Sequence, residues 1–196
     1  LLLSLVLLIF QGYPIIFSQK RVGYNFKIFN IYKFRSMKIN SGSLLTKDDD
    51  NRITFIGKII RSTKLDEIPQ LINILYGDMR FIGPRPEVIE FFDKKKFKFL
   101  EKIKPGISDY SSILFRNESK VLNKIGGKNP YEALLPYKLA LAYYYAKRKS
   151  FFLDFKLVIL TIISIFFPKT VVNTFIGPEL YKRIDGLKDF CIKYIL

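Results

Sequence analysis

The chain opens with ten residues that are apolar except for one serine, LLLSLVLLIF, and this run restricts what the first segment can form. As an α-helix, ten residues extend about 15 Å, which is half of the roughly 30 Å hydrocarbon thickness of a bilayer. Gly12 and Pro14 then interrupt the pattern. A run this short ordinarily forms a buried core helix. Because the chain starts at Leu1 rather than Met, we instead expect residues 1–14 to be the C-terminal part of a membrane-inserted helix.

The charge of the chain is strongly one-sided. Its 196 residues suffice for one domain with a hydrophobic core. They include 33 Lys and Arg against 17 Asp and Glu, which gives a formal net charge of +16. Such an excess favours a polyanionic partner, and nucleic acid and the anionic surface of a membrane are the two general candidates. Composition alone does not choose between them.

Histidine and cysteine are almost missing from the sequence. The chain contains no histidine and one cysteine, Cys191. These counts exclude a Ser-His-Asp triad, a Cys-His pair, a zinc site built from Cys and His, and an intrachain disulfide. Any metal must be held by oxygen ligands, which favours a hard cation such as magnesium. Any nucleophile must be a carboxylate, a hydroxyl or a lysine.

The first half of the chain shows patterns of both strands and helices. Alternating and β-branched residues in 15–21 and 26–34 predict a β-hairpin. Residues 38–51 are polar and rich in turn formers, which predicts a loop. The segment 52–61 fits either a strand or a short helix. In 69–76, a proline, an apolar stripe and a following glycine predict a helix.

The second half is predominantly helical in pattern. The lysine- and phenylalanine-rich segment 91–104 predicts a basic amphipathic helix, and an irregular region is expected to follow as far as Asn129. Helical patterns return in 131–149 and in 151–167, the latter an apolar segment slightly short for crossing a membrane. We expect 151–167 to pack against the domain or the membrane surface. Residues 168–196 are expected to form a C-terminal tail.

One long motif and several shorter ones occur in a fixed order along the chain. The long motif is RSTKLDEIPQLINILYGDMRFIGPRPE, residues 61–87. The shorter motifs are FSQKRVG (17–23), IYKFRSM (31–37), NRIT (51–54), KPGIS (104–108) and SFFLDFKL (150–157). With these motifs, the stretch from Ile15 to about Ile163 resembles the bacterial sugar transferase family, small monotopic phosphoglycosyl transferases that make polyprenyl-diphosphate sugars. Several spaced motifs are far more specific than an isolated one.

The resemblance implies both a fold and a reaction. The fold is α+β, a helix-rich monotopic membrane-associated domain with a small β-hairpin, a membrane-dipping N-terminal helix and a catalytic domain over 15–167. The reaction transfers a sugar-1-phosphate from a UDP-sugar to a polyprenyl phosphate such as undecaprenyl phosphate, and it releases UMP. It begins the membrane steps of surface-glycan assembly, so that downstream glycosyltransferases are further partners. The resemblance also implies a location on the inner membrane, with the catalytic domain facing the cytoplasm.

An Asp-Glu pair carries the chemistry in the family, and it falls on Asp66 and Glu67. The resemblance implies that Asp66 attacks the phosphorus bonded to the sugar and forms a covalent phosphosugar. It also implies that Glu67, with Asp66, holds Mg²⁺ or Mn²⁺. Physically, a carboxylate attacks phosphorus effectively when a metal and cations neutralise the phosphate oxygens, and free N–H groups at a helix start attract phosphate. The alternative is that both acids only satisfy the start of the helix predicted at 69–76.

Side chains of other motifs complete the predicted site. Arg85 lies between two prolines, whose stiff backbone would hold its guanidinium for bidentate phosphate contact. Arg116 matches the family's phosphate-contacting arginine, and Lys33 and Arg35 in the KFRSM motif are further candidates for phosphate binding. The alternative for Arg85 is an ordinary turn with an exposed arginine, and Lys33 or Arg35 could instead pair with a structural carboxylate. Asp154, an acid within an apolar run, is the last candidate, with neutralisation of a buried arginine as its alternative.

Parts of the sequence depart from the family's pattern. Residues 108–112 replace a Gly-Leu-Ala-Gln-like stretch, and extra residues follow Arg116. We expect this region to line the sugar site, so the sugar is not inferred from better-known members. Three adjacent acids, Asp48, Asp49 and Asp50, lie in a polar segment, which is typical of a solvated loop rather than of a metal cluster.

Two other classes of function fit parts of the sequence. A nucleic-acid-binding protein would explain the charge, but the phenylalanines lie in apolar runs without a recognisable binding motif, so we expect no nucleic-acid partner. A non-catalytic basic protein of the membrane surface would explain both the charge and the apolar runs. The intact set of Asp66, Glu67, Arg85 and Arg116 argues against loss of the reaction.

Overall fold

The computed structural model describes residues 2–39 and 50–195 and combines many helices with two small sheets, which confirms the α+β fold. The loop predicted at 38–51 therefore lies mostly outside the described residues. The α-helices are α1 (Leu2–Gln11), α2 (Phe55–Ser62), α3 (Gln70–Leu75), α4 (Tyr110–Leu114), α5 (Glu118–Ile125), α6 (Pro130–Arg148), α7 (Phe151–Phe166), α8 (Pro168–Thr170), α9 (Gly177–Leu180) and α10 (Leu187–Tyr194). The strands are β1 (Ile16–Val22), β2 (Ile28–Phe34), β3 (Arg80–Ile82), β4 (Glu87–Val88) and β5 (Gly106–Ser108).

The predicted β-hairpin is confirmed. Strands β1 and β2 pair antiparallel in a register that runs from Ile16 opposite Phe34 to Val22 opposite Ile28. The connection contains a short 3₁₀ turn in which Asn25 and Phe26 take the left-handed conformation, with φ of 53° and 59°. Strand β4 joins the other edge of β1, so the sheet order is β2-β1-β4. Strand β2 is thus left at one edge of the sheet.

A side-chain amide closes the free edge of β2. The backbone N–H of Tyr32 donates to Oδ1 of Asn73 at 3.2 Å, and Nδ2 of Asn73 donates to the carbonyl of Asn30 at 2.7 Å. Asn73 belongs to α3 and is fully buried. Its amide replaces the donor and acceptor that a neighbouring strand would offer. Helix α3 is thereby fixed against the hairpin.

The polar contact of α3 with the sheet turns its apolar stripe outward. The helix predicted at 69–76 is confirmed, but Gln70 and Asn73 are its buried residues. Leu71, Ile72 and Leu75 are 42%, 44% and 85% exposed. The stripe predicted from the sequence is therefore free to contact something other than the protein core.

Two glycines allow the second sheet to form. Strands β3 and β5 pair in parallel, with Arg80 opposite Gly106 and Ile82 opposite Ser108. A Cβ on Gly106 would lie 2.2 Å from the backbone nitrogen of Gly83, far inside van der Waals contact. The GPRP and KPGIS motifs consequently need glycine where they touch. Their contact places Arg85 over the end of β5.

The hydrophobic core lies among the helices of the second half of the chain. Large fully buried side chains come from α4, α6 and α7, and Tyr110, Leu141 and Leu157 are examples. The segment from residue 168, which we expected to be a tail, folds into the same core through α8, a π-helical turn at Val171–Ile176, α9 and α10. Its buried members are Val171, Val172, Ile176, Leu180, Ile184, Leu187, Phe190 and Cys191.

The carboxylate of Glu179 adds polar contacts between this C-terminal segment and the rest of the domain. Oε1 of Glu179 accepts hydrogen bonds from the hydroxyls of Tyr110 and Tyr144 at 3.1 and 2.9 Å. Its Oε2 accepts from Nζ of Lys156 at 2.9 Å. Glu179 thus joins α9 to α4, α6 and α7 at one point.

Three expectations about local structure are settled by the coordinates. The segment 52–61, which fitted either a strand or a helix, forms α2 over most of its length, and Oγ1 of Thr54 caps that helix by accepting from the N–H of Gly57 at 2.9 Å. The irregular region expected before Asn129 was wrong, because it contains α4 and α5. The helices predicted at 131–149 and 151–167 are confirmed as α6 and α7.

The helix predicted at 91–104 was also wrong, because this segment forms turns with one short 3₁₀ helix, Lys98–Leu100, while the 3₁₀ helix Ile89–Phe91 ends where the segment begins. Oδ1 of Asp93 accepts from the backbone N–H of Lys95 at 2.8 Å, which competes with helical hydrogen bonding. Lysines four residues apart would also repel one another in a helix. The ring of Phe97 is buried, and it packs 5.1 Å from that of Phe92.

Large apolar side chains lie exposed on several helices. Within residues 2–39 and 50–195, no helix combines the length and the apolar character needed to cross a membrane. Exposed aliphatic and aromatic residues nevertheless crowd α1, α2, α3 and α7. Leu2, Phe10, Phe55, Leu75 and Phe152 are each at least 70% exposed.

Candidate active site

Asp66 and Glu67 lie together in a tight turn between two helices. The 3₁₀ turn Leu65–Glu67 follows α2 and ends just before α3. Lys64 enters the turn in the left-handed conformation, with φ of 61°. The prediction that both acids immediately precede a helix is therefore confirmed. The reversal of the chain at Lys64 directs consecutive carboxylates toward the hairpin.

Glu67 is held by two cations from different parts of the fold. Its Oε1 accepts from Nζ of Lys33 on β2 at 3.0 Å and from Nη2 of Arg85 at 2.8 Å, while Oε2 accepts from Nη1 of Arg85 at 3.2 Å. Only 11% of the Glu67 side chain is exposed. Burial alone would raise the pKa of Glu67, but the charges of Arg85 and Lys33 hold it well below its usual range. Glu67 is therefore ionised and fixed in position.

Asp66, the neighbouring acid, has one carboxylate oxygen without a hydrogen-bond partner among the described residues. It is 8% exposed, and its Oδ1 has no hydrogen-bond partner among the described residues. Burial raises the pKa of Asp66, while the positive charges of Lys33 and Lys64 oppose that rise. A buried carboxylate oxygen without a partner is costly unless a ligand uses it. Asp66 is thus available for chemistry in a way that Glu67 is not.

Arg85, which lies between two prolines, is held in the site by hydrogen bonds from its guanidinium. Besides its fork to Glu67, its Nη1 donates to the carbonyl of Ile107 at 2.8 Å. Burial alone would lower the pKa of Arg85, but Glu67 and Asp109 raise it above its usual value. The guanidinium of Arg85 is thus held by a carboxylate and a carbonyl. Its partner is a carboxylate, whereas contact with a phosphate stays a prediction.

Arg116 and Lys64 meet on the other side of the carboxylates. Nη2 of Arg116 donates to the carbonyl of Ser62 at 2.8 Å, and Nζ of Lys64 donates to the carbonyl of Arg116 at 3.3 Å. These bonds join the α4–α5 connection to the turn that carries Asp66. Sequence reasoning missed Lys64, because a lysine beside two acids is ordinarily a solvated charge. Its left-handed conformation leaves no signal in the sequence.

Two predicted site residues lie apart from this cluster. The guanidinium of Arg35 donates to the carbonyl oxygens of Gln11, Gly12 and Tyr13, so that it binds the C-terminal end of α1. Asp154 accepts from the hydroxyl of Tyr145 at 2.7 Å, where the alternative had been a buried arginine. Both contacts stabilise the fold. The structure brings together Asp66, Glu67, Lys33 and Arg85, with Arg116 adjacent.

The region that departs from the family's pattern is largely buried. Ser108, Asp109, Tyr110 and Ser111 are each at most 6% exposed. Asp109 caps α4 by accepting from the backbone N–H of Ser112 at 2.7 Å. These four side chains pack in the core, and the charge of Asp109 acts on Arg85. That the region lines the sugar site stays a prediction.

Oxygen donors for a metal are few among the described residues. Across residues 2–39 and 50–195, no three Asp, Glu or Cys side chains group closely enough to hold an ion. Asp50 accepts from Nε of Arg52 at 2.7 Å, and Asp48 and Asp49 lie outside the described residues. Asp66 and Glu67 remain the pair beside which a cation could sit.

The arrangement of carboxylates and cations in the site indicates a class of protein. Adjacent buried carboxylates, one free and one held by cations, lie among Lys33, Arg85 and Lys64 on a helix-rich domain with exposed apolar helices. Such a site suits a reaction on phosphate groups at an apolar surface. The chain belongs to the bacterial sugar transferase family, whose family model matches residues 1–168. The resemblance drawn from the motifs is thereby confirmed.

Curated relatives agree with this assignment. The galactosyl transferase CpsE of Streptococcus agalactiae is 35% identical over 168 residues, which cover 78% of this chain and 34% of that protein. The UDP-glucose:undecaprenyl-phosphate glucose-1-phosphate transferase of Klebsiella pneumoniae is 32% identical over 166 residues, covering 80% of this chain and 34% of that protein. An uncharacterized sugar transferase of Bacillus subtilis, EpsL, is 33% identical over 83% of this chain and 75% of its own length. The chain thus spans about a third of the length of the first two relatives.

Proposed function

We propose that the chain transfers a sugar-1-phosphate from a UDP-sugar to undecaprenyl phosphate, or to a related polyprenyl phosphate, and releases UMP. This would be the first membrane step in assembling a surface glycan. The name of the Klebsiella relative supports the donor and acceptor classes. Relatives are named for galactose, glucose and N-acetylgalactosamine, so the sugar is left open.

The observation that carries the proposal is the contrast between the two carboxylates. Glu67 is saturated by Lys33 and Arg85, whereas Oδ1 of Asp66 is buried without a partner. A nucleophile must present a free lone pair to the phosphorus, and Asp66 does so. Lys33, Lys64 and Arg85 lie close enough to reduce the repulsion between this carboxylate and an incoming diphosphate.

The first half-reaction that we propose forms a covalent intermediate on Asp66. A carboxylate oxygen of Asp66 attacks the phosphorus bonded to the sugar, and the bond from this phosphorus to the UMP oxygen breaks. UMP leaves with the electron pair, and an aspartyl-phosphosugar remains. Arg85 keeps its hydrogen bonds to Glu67 and Ile107, so its guanidinium is already in position to stabilise the negative charge that develops on the phosphate oxygens.

The second half-reaction regenerates the enzyme. A phosphate oxygen of the polyprenyl phosphate attacks the same phosphorus, the bond to Asp66 breaks, and the carboxylate returns. The product is a polyprenyl-diphosphate sugar. No proton has to be moved by the protein in either half-reaction, which agrees with a chain that contains no histidine.

We extend the proposal to Mg²⁺, or Mn²⁺ in its place, with the carboxylate oxygen of Asp66 that does not attack and the substrate diphosphate as ligands. The residues fit, because magnesium prefers one or two carboxylates together with phosphate oxygens and water. Glu67 would join them only by loosening its bonds to Lys33 or Arg85. A bound divalent cation would neutralise charge on the diphosphate and on the departing UMP.

We also propose that the domain sits on the cytoplasmic face of the membrane without crossing it. Support comes from the exposed apolar side chains of α1, α2 and α3 and from the lysines of 94–104. Each lysine near an anionic surface contributes about 1 kcal/mol. Protection of the Leu1 side from labels added to the periplasmic face is expected, and labelling there would contradict the orientation.

The experiment that tests the reaction is a panel of UDP-sugars without acceptor. With the correct donor and magnesium, UMP should appear in an amount close to that of the enzyme, because the first half-reaction stops at the covalent stage. Intact-protein mass spectrometry should show the sugar phosphate on the wild type and not on Asp66→Asn. Asp93→Asn, the same change in an exposed turn, is the control and should keep the adduct. An adduct that survives in Asp66→Asn would move the nucleophile elsewhere.

A further inference from the structure

A cluster of polar side chains that the proposed reaction does not use joins α6 to two other segments of the chain. Nζ of Lys138 in α6 donates to Oε2 of Glu118 at 3.1 Å and to the hydroxyl of Tyr131 at 3.1 Å. The hydroxyl of Tyr131 donates in turn to Oε2 of Glu87, which follows the GPRP motif. The side chain of Lys138 is 15% exposed, and Tyr131 and Glu87 are buried. One ammonium group therefore holds Glu118 directly and Glu87 through a phenol.

Glu118, at the start of α5, is the accessible member of this cluster. Its side chain is 36% exposed, and its two carboxylate oxygens accept from Nζ of Lys138 at 3.1 and 3.4 Å. No further hydrogen-bond partner of this carboxylate lies in the part of the chain that the structure describes. A carboxylate held in this way can turn to another cation as soon as its lysine is lost.

The charge of Glu118 is felt in the active site. Partial burial would raise the pKa of Glu118, but nearby cations hold it below its usual value. In decreasing order of effect, these cations are Lys138, Arg85 and Lys64. Glu118 thus lies within electrostatic range of two cations of the active site, while its hydrogen bonds are with Lys138.

Arg85 retains donors that a carboxylate or a phosphate could use. A guanidinium carries five N–H groups, and that of Arg85 makes three hydrogen bonds, to Glu67 and to the carbonyl of Ile107. Arginine binds carboxylates and phosphates alike through paired N–H donors. A second carboxylate that came to rest on Arg85 would therefore compete with the phosphate groups of a substrate.

We propose that Lys138 is a positioning residue that holds the carboxylate of Glu118 away from Arg85 and so keeps this guanidinium available to the diphosphate of the donor. The inference rests on the proposed function for the identity of the diphosphate. The ammonium group is itself fixed, because it donates to the hydroxyl of Tyr131 and lies 4.8 Å from the centre of that ring. Tyr131 is fixed in turn by Glu87. Lys138 therefore cannot follow Glu118 toward the active site.

A binding cycle with inorganic pyrophosphate tests this role apart from catalysis. The variants of the full chain are Lys138→Met, Glu118→Gln and the double variant, and their affinities are measured by isothermal titration calorimetry with Mg²⁺ present. Lys156→Met is the matched control, because it removes a lysine that pairs with Glu179 at 2.9 Å. All titrations are made below the unfolding temperatures recorded by circular dichroism. If Lys138→Met does not fold, Lys138→Gln, which keeps a donor for Tyr131, replaces it.

Lys138→Met should weaken pyrophosphate binding about tenfold, because Glu118 is released toward Arg85. Residues of one ion-pair network typically couple by about two- to 150-fold in an equilibrium constant. Glu118→Gln removes a negative charge, and it should tighten binding about twofold in the wild type but about tenfold in the Lys138→Met background. Lys156→Met should stay within about twofold of the wild type.

The remaining outcomes would each reject one of the two proposals. Equal tightening by Glu118→Gln in both backgrounds would overturn the positioning role, because it would show an effect of net charge alone. Weakening in Lys138→Met that Glu118→Gln does not relieve would overturn it in favour of an ion pair that only joins α5 to α6. A wild type that does not bind pyrophosphate would also overturn it. The expected cycle without UMP release from any UDP-sugar would keep the positioning role and reject the proposed function, and UMP release without this coupling would do the reverse.

Discussion

Replacing Glu67 by glutamine tests whether this residue holds the cations of the site. Glu67 offers two charged oxygens to three donors, at 2.8, 3.0 and 3.2 Å. Glutamine keeps one acceptor and places an NH₂ group where Arg85 or Lys33 donates. Two half-buried cations then lose their counter-charge, and one donor faces another donor. The substitution changes size hardly at all, so its effect is electrostatic.

The structure allows the size of this effect to be worked out. Glu67 is 11% and Arg85 25% exposed, so the cost lies near the lower end of the about 3–5 kcal/mol for removing one partner of a fully buried pair. For a domain of this length, each kcal/mol lowers Tm by about 2–4 °C. Glu67→Gln should therefore unfold on the order of 10 °C below the wild type. Turnover should fall roughly 100-fold or more, because an electrostatic contact to the transferred phosphate is misplaced.

The assay is thermal unfolding followed by circular dichroism, with a chelator present so that metal loss does not contribute. Glu67→Gln, Arg85→Met and the double variant complete a thermodynamic cycle. The double variant should be more stable than the sum of the single losses predicts, by more than about 1 kcal/mol. A coupling below about 0.5 kcal/mol would refute the reasoning, since it is typical of a solvated surface pair.

The pH dependence of the same pair has a defined sign. The pKa of Glu67 is depressed in the folded protein, so the stability it contributes is present above the unfolded pKa of about 4.3. That stability is lost only as pH falls through the lower folded value. The difference in stability between wild type and Glu67→Gln should accordingly stay constant from about pH 6 to pH 8 and shrink in strong acid. A difference that vanishes near pH 6 would contradict the charge assignment.

Three further predictions concern the metal and the scaffold. Excess EDTA should abolish UMP release, and added Mg²⁺ or Mn²⁺ should restore it; full turnover in the chelator would contradict the proposed cation. Asn73→Leu should lower the free energy of unfolding by about 1–3 kcal/mol, because the Tyr32 N–H and the Asn30 carbonyl lose their partner. Urea unfolding measures this loss. An unchanged free energy of unfolding would show that water replaces the amide. Gly106→Ala should cost about 1–3 kcal/mol by overpacking against Gly83, and urea titration with an unchanged midpoint would contradict the close contact.

The sequence was most informative where local patterns and tertiary contacts agree. Two runs rich in β-branched and aromatic residues, separated by turn formers, predicted the hairpin, and β1 and β2 pair as expected. Asp66 and Glu67 were identified through the motif around them, and their contact with Lys33 and Arg85 follows from the fold. A linear motif cannot state which of two adjacent acids the cations hold. That distinction depends on strand β2 and the GPRP loop meeting at Glu67.

Other features could not be read from local patterns. The apolar stripe of α3 predicted a helix but not which face is buried: Gln70 and Asn73 are the buried residues, and Asn73 supplies hydrogen-bond partners to the edge of β2. The Arg35 side chain was grouped with Lys33 by the KFRSM motif, yet the end of α1 supplies three carbonyls closer at hand. Helices α4 and α5 are too short for a periodic signal and form because they are packed in the core.

Glu179 and the helices around it bear on where this protein can be divided. The family model ends at residue 168, whereas the core continues through Leu180 and Leu187, both fully buried. Each such side chain contributes about 1.5–3 kcal/mol by its burial. If a segment ending at residue 168 were exchanged between relatives, the hydroxyls of Tyr110 and Tyr144 would lose Glu179, which accepts their hydrogen bonds. The region shared with the family and the region that forms the hydrophobic core therefore end at different residues. A functional chimera of this protein has to keep the whole core together.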